Sequence, residues 1–133
     1  MRKLRVTTFA ALIALSGCAS TPDGLRENVS GKRELVLSVG YQTVLKRLVD
    51  HNRKCVGGPL LPIGSVINDV DHYPDLRTAT IVRGAQGFGR DIFQVYDLVE
   101  VAPGATRLTM YFRYWADRDA AIAKRVAEGD GSC

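Results

Sequence analysis

Residues 76–115 read LRTATIVRGAQGFGRDIFQVYDLVEVAPGATRLTMYFRYW, and this stretch decides the fold. Leu76 to Arg83 is rich in β-branched residues, which suit a pleated, half-buried surface. Asp91 to Val101 places Phe93, Val95, Val99 and Val101 on one face of a second strand. Thr106 to Trp115 alternates Leu108, Met110, Phe112 and Tyr114 against Arg107, Thr109, Tyr111 and Arg113, with the period of two that marks a strand. The breaks between these runs are short. Gly84 to Gly89 reads as a hairpin loop, and Pro103-Gly104 is a turn signal. Parallel neighbours need a crossover of a dozen or more residues, so these strands must pair antiparallel.

Before this stretch, Ser65 to Tyr73 alternates loosely and ends at the turn signal Pro74-Asp75, which makes a fourth strand. Glu34 to Val39 is a compact β-type run. From Gly40 to Lys54 the period becomes helical, with Tyr41, Val44, Leu45, Leu48 and Val49 on one stripe and Lys46, Arg47, Asp50 and Arg53 opposite. Gly57-Gly58-Pro59 and Pro62 break that helix. At the other end Asp117 is the expected N-cap of a last helix, Arg118 to Glu128, and Gly129 to Cys133 reads as a loose tail. The order β-α-β-β-β-β-α predicts an α+β fold: two layers, a mostly antiparallel sheet, and two helices on one face. In element order it is similar to helix-grip domains, including those of outer-membrane assembly lipoproteins. That likeness is carried by no motif and implies nothing about function.

The N-terminus sets the compartment. Arg2, Lys3 and Arg5 precede Val6 to Leu15 (VTTFAALIAL), a run of about ten mostly apolar residues, as in a secretory signal peptide. A bilayer core needs about 20 apolar residues, so the run is too short to span it. It ends in Leu15-Ser16-Gly17-Cys18, which resembles the lipobox of bacterial lipoproteins. The resemblance implies cleavage between Gly17 and Cys18, a diacylglyceryl group on the Cys18 thiol and an acyl chain on its new N-terminus. Ala19 follows rather than the Asp associated with inner-membrane retention, so the resemblance implies the outer membrane, facing the periplasm. With this signal the chain resembles small periplasmic and outer-membrane lipoproteins of proteobacteria. The expected organisation is signal peptide 1–17, lipidated flexible tether 18–31 and a single domain 32–133. Ala19 to Gly31 is polar, lacks apolar periodicity and could extend to about 45 Å.

Charge follows from the same segment. The chain of 133 residues carries 18 Lys+Arg against 14 Asp+Glu, a formal +4. Residues 1–17 hold three of those cations and no acid, so the mature chain keeps 15 against 14. The basicity is mostly an export signal, and nucleic acid drops out as a partner.

With Cys18 assigned to lipid, Cys55 and Cys133 remain as an even pair in an oxidising compartment, and a disulfide between them is expected. No metal site is expected. His51 and Cys55 are spaced i, i+4, but only His72 is left to join them, and zinc needs three or four ligands. His51 is expected to be solvated near a helix end. Asp69, Asp71 and Asp75 cluster as DVDHYPD but lack the glycine and further oxygens of a calcium loop. Gly84, Gly87 and Gly89 do not match GxGxxG. No serine stands in GxSxG and no cysteine is free to act as a nucleophile, so no catalytic residue and no cofactor is expected beyond the acyl chains on Cys18.

The remaining candidate is a basic-aromatic sheet face of Arg77, Arg83, Arg107, Tyr111, Arg113 and Trp115, since Arg, Tyr and Trp favour interfaces. The expected role is a binding or structural-accessory module of the cell envelope, with envelope protein or cell-wall glycan as partner. Two alternatives stand beside it. One is a small apolar ligand or lipid held between sheet and helix, for which a large apolar pocket would speak. The other is inhibition of an envelope enzyme, for which only the loop Gly84 to Arg90 (GAQGFGR) qualifies.

Overall fold

A computed structural model of the protein describes residues 20–56 and 64–133. Five strands, β1 (Lys32–Leu37), β2 (Ser65–Tyr73), β3 (Thr78–Gln86), β4 (Arg90–Ala102) and β5 (Ala105–Phe112), form one sheet in the order β1-β5-β4-β3-β2. Every neighbouring pair is antiparallel. The last four make a meander, because each is joined to the next by a turn too short for a crossover. The helix α2 (Tyr41–Cys55) carries the chain from β1 at one edge toward β2 at the other. It packs with α3 (Ala116–Glu128) over one face of the sheet. The fold is the expected α+β sandwich. No helix among the described residues is long and apolar enough to cross a membrane.

The main core lies between that face and the two helices. The predicted stripe of α2 buries Tyr41, Val44, Leu45 and Leu48, and α3 adds Ala123, Val126 and Ala127. Leu108, Met110 and Phe112 of β5 meet them, fully buried, as their alternation requires. In β4 the phase differs from the sequence reading. Tyr96 and Leu98 enter this core, whereas Val99 and Val101 are exposed. A bulge also takes Phe93 off the face of Val95 and Val99. Arg83 faces Gln94 and Gly84 faces Ile92, so Phe93 has no partner on β3 and the faces of β4 exchange across it. Gly84 permits this, because a Cβ there would overlap the carbonyl oxygen of Asp91. Strand pairing therefore runs through Gln86, and the expected loop Gly84 to Gly89 shrinks to Gly87–Gly89, with Phe88 wholly exposed at its tip.

The opposite face has its own cover, which corrects the expected tether. Residues 22–31 belong to the domain. A short helix, α1 (Pro22–Arg26), is capped by Thr21, whose hydroxyl accepts from the Gly24 N–H at 3.1 Å. Leu25, 1% exposed, closes a second cluster of Ile67, Val82, Ile92 and Val95, with Tyr111 against it. Arg26 donates to both oxygens of Asp97, from Nε at 2.9 Å and Nη2 at 2.7 Å. Those bonds lift the Arg26 pKa further above its ordinary value. Asn28 donates to the Phe112 carbonyl at 3.1 Å, and Gly31 is buried so close to that carbonyl that a Cβ would overlap it. A single leucine and a single arginine have no periodicity, so the segment reads as linker although it is docked.

Two boundaries near the C-terminus also move. β5 ends at Phe112, and the N-cap of α3 is Trp115, not Asp117. Trp115 takes the left-handed conformation at φ 51°, uncommon for a bulky side chain. Asp117 lies in the first turn and accepts from Arg33 Nε at 2.8 Å. After Gly129 (φ 121°) the tail is tied down. Asp130 accepts from the Ser132 N–H at 3.0 Å, and hydrogen bonds with Ser132 hold its carboxyl below the ordinary value.

Candidate functional site

A groove of about 560 Å³ opens between the C-terminal half of α2, the N-terminal half of α3 and the sheet beneath them. Leu48, His51, Asn52 and Cys55 reach it from α2. Arg83, Phe93, Gln94 and Tyr96 line it from the sheet. Tyr114 and Trp115 border it ahead of α3, and Arg118, Asp119, Ile122 and Val126 line it from α3 itself. Its position follows from the packing. The α2 stripe that fills the core as Val44, Leu45 and Leu48 continues one turn on as Asn52, and the bulge in β4 sets Gln94 rather than an aliphatic residue beneath it.

The polar floor is connected. Arg83 Nη1 donates to Gln94 Oε1 at 2.7 Å, and the Tyr96 hydroxyl donates to the same oxygen at 2.9 Å. Gln94 Nε2 donates to Asp119 Oδ2 at 2.8 Å, while Arg118 Nε donates to Asp119 Oδ1 at 2.9 Å. Burial pushes the Tyr96 phenol up to about 12, against a smaller opposing effect of Arg83. Three buried nitrogens of lining residues, Arg83 Nε, Asn52 Nδ2 and His51 Nε2, have no hydrogen-bond partner among the described residues. Buried polar groups are nearly always paired, with protein or with ordered water, so each of these nitrogens calls for a partner beyond the described residues. His51 is thus half-buried rather than solvated as its sequence position suggested.

The rim is aromatic and cationic. Trp115, 68% exposed, stands 5.7 Å from Tyr114 between ring centroids, with the Arg118 guanidinium 4.8 Å from its own centroid. The groove wall also contains Cys55 and Cys133. They form the expected disulfide, with Cα atoms 5.5 Å apart.

The expected basic-aromatic face is not one surface. Arg83 and Trp115 meet at the groove. Arg107 and Tyr111 lie on the opposite face of the sheet, where Arg107 approaches Glu34 at 3.8 Å and Tyr111 packs on the second cluster. Arg77 occupies a left-handed turn position before β3 and pairs with Glu100 at 3.6 Å. Arg113 pairs with Asp91 and lies over Tyr114 at 5.2 Å. Alternation along β5 separates Arg107 and Tyr111 from the helix side, and the end of β5 at Phe112 releases the following residues from that alternation.

The other candidates scatter. His72 contacts Tyr41 at the first turn of α2, ten residues before His51 on that helix. Asp69 is exposed and pairs with Arg90 at 3.0 Å, and no group of three potential metal ligands occurs among the described residues. Gly17 and Cys18 lie outside the described residues, as does the whole of 1–17. Asn52, Gln94, Arg118 and Asp119 escaped the sequence reading. Asn52 alone left a signal, a polar residue four positions after Leu48 on an apolar stripe. No protein-family model matches this chain, and no curated protein matches its sequence.

Proposed function

We propose that this chain is a bacterial lipoprotein, cut between Gly17 and Cys18 and held by acyl chains on Cys18 in the outer membrane, facing the periplasm. We further propose that it serves the envelope as a binding module through the groove between α2 and α3. The observation that carries the binding role is that concave site, apolar in its walls and lined by residues with three buried nitrogens that have no partner among the described residues. The Cys55–Cys133 bridge supports the exported compartment, where disulfides persist. A volume of about 560 Å³ favours a small ligand over an envelope protein or cell-wall glycan, because it lies in the range of small-molecule sites. The reading assigns no catalytic step and no nucleic-acid partner.

Two measurements test it. Cells fed an alkyne fatty acid should label the wild-type protein but not Cys18→Ala, and the label should follow the outer-membrane fraction. A photo-crosslinking residue at Ile122 on the groove should capture a ligand that the same residue at Val36, exposed on β1, does not. Equal labelling of Cys18→Ala would overturn the anchor; equal capture from both positions would overturn the groove.

A further inference from the structure

We propose that the groove is a site for a small amphiphile with a carboxylate head, whose acid group meets Arg83, Asn52 and His51 and whose hydrocarbon body lies along the apolar wall. The proposal rests on the binding reading above and adds the chemical class of the ligand.

Arg83 Nε and Asn52 Nδ2 can only donate, and His51 Nε2 donates in the tautomer protonated there. Three of the acceptors beside them already accept. Gln94 Oε1 takes bonds from Arg83 and Tyr96, and the two Asp119 oxygens take bonds from Gln94 and Arg118. A ligand that pairs the three nitrogens brings acceptor oxygens.

Charge selects among acceptors. Among the lining side chains two arginines stand against one aspartate, an excess of one positive charge that a monoanion neutralises and a phosphate dianion exceeds. The guanidinium edge of Arg83 also suits the two coplanar oxygens of a carboxylate. The body follows from the walls. Leu48, Phe93, Ile122, Val126 and the Cys55–Cys133 bridge offer hydrocarbon and sulfur, and none of these side chains is charged. Trp115 at the mouth is held in an uncommon backbone conformation while its ring stays largely exposed. Strain of this kind persists where surroundings over-determine it and clusters at ligand sites.

Trp115 is the single tryptophan of the chain, so its fluorescence reports on the groove mouth without labelling. The protein is purified as cells produce it. It is held in phosphatidylcholine nanodiscs if membrane-bound or used directly if soluble, so that the test does not depend on the anchor. Decanoate, decanol, decyltrimethylammonium and acetate are titrated, with empty nanodiscs correcting for partition. Decanoate is expected to shift Trp115 emission saturably and to bind at least tenfold more tightly than the other three. Arg83→Gln is expected to weaken decanoate at least tenfold while leaving decanol within twofold. If Arg83→Gln does not melt cooperatively, the near-isosteric Asn52→Leu takes its place with the same expectation. Decanol binding as tightly as decanoate, or a variant that leaves decanoate affinity within twofold, overturns the carboxylate assignment and leaves the groove as an apolar ligand site. Silence from every amphiphile overturns it too, and the crosslinking from Ile122 then decides whether the groove binds anything.

Discussion

Truncating Leu25 to alanine tests whether residues 22–31 are part of the domain. Leu25 is 1% exposed and closes the cluster of Ile67, Val82, Ile92 and Val95 beneath a helix of five residues. Leu→Ala at buried sites costs about 2–5 kcal/mol, the spread reflecting how far each site can collapse. A five-residue helix at the surface can settle more readily than a long one packed on both sides, which places this site near about 2–3 kcal/mol. For a domain of this size that corresponds to a melting temperature lower by roughly 10 °C. The assay is urea unfolding followed by far-UV circular dichroism, with the midpoint expected to fall and the slope to stay constant. Arg26→Met removes the paired bonds to Asp97 from the same segment, so the double variant should lose less than the sum of the two single losses. A loss below about 0.5 kcal/mol for Leu25→Ala, at unchanged slope, would refute the docking of α1 and restore a flexible tether.

Three further outcomes follow from the fold. Reduction of Cys55–Cys133 should leave a folded but weaker domain; the separation of 78 residues sets an upper figure of about 4.5 kcal/mol, read as the urea midpoint with and without reductant. Gly84→Ala should cost about 1–3 kcal/mol, because its methyl group meets the Asp91 carbonyl within the bulge; an unchanged melting curve would contradict the bulge. Tyr96 connects stability to alkaline pH. Its phenol is raised from 10 to about 12, so between those values the unfolded chain has lost a proton that the folded chain keeps, and stability falls as pH rises. Tyr96→Phe should flatten that fall in urea midpoints measured from pH 9 to 11.5, and parallel curves for both proteins would count against a buried, neutral Tyr96.

Much of the architecture was legible because period and turn chemistry act locally. The α2 stripe, the alternation of Leu108, Met110 and Phe112, and the short breaks between strands each specify their element without reference to the rest. What escaped depends on contacts between distant residues. The face that Phe93 presents is decided by a bulge opposite Gly84, and glycine in that stretch reads equally well as a loop. The docking of α1 depends on Leu25 meeting Ile92 and Val95, and on Arg26 meeting Asp97, which is 71 positions away. The Cys55–Cys133 pair was legible from parity and from the compartment that the N-terminal signal leads one to expect. The groove was not, because its polar floor is assembled from α2, β3, β4 and α3, and a sequence shows none of those meetings.

The docking of α1 also sets a short leash. On the lipid-anchor proposal, only the three steps from Cys18 to Thr21 separate the acylated residue from a capped helix, a reach of about 10 Å rather than the 45 Å of a free thirteen-residue tether. The domain would then ride against the bilayer with its α1 side inward. Because α2 and α3 cover the other side of the sheet, the mouth of the groove would look into the aqueous periplasm. An amphiphile would reach it as a dissolved monomer or from a facing carrier, not by sliding sideways out of the leaflet that holds the anchor.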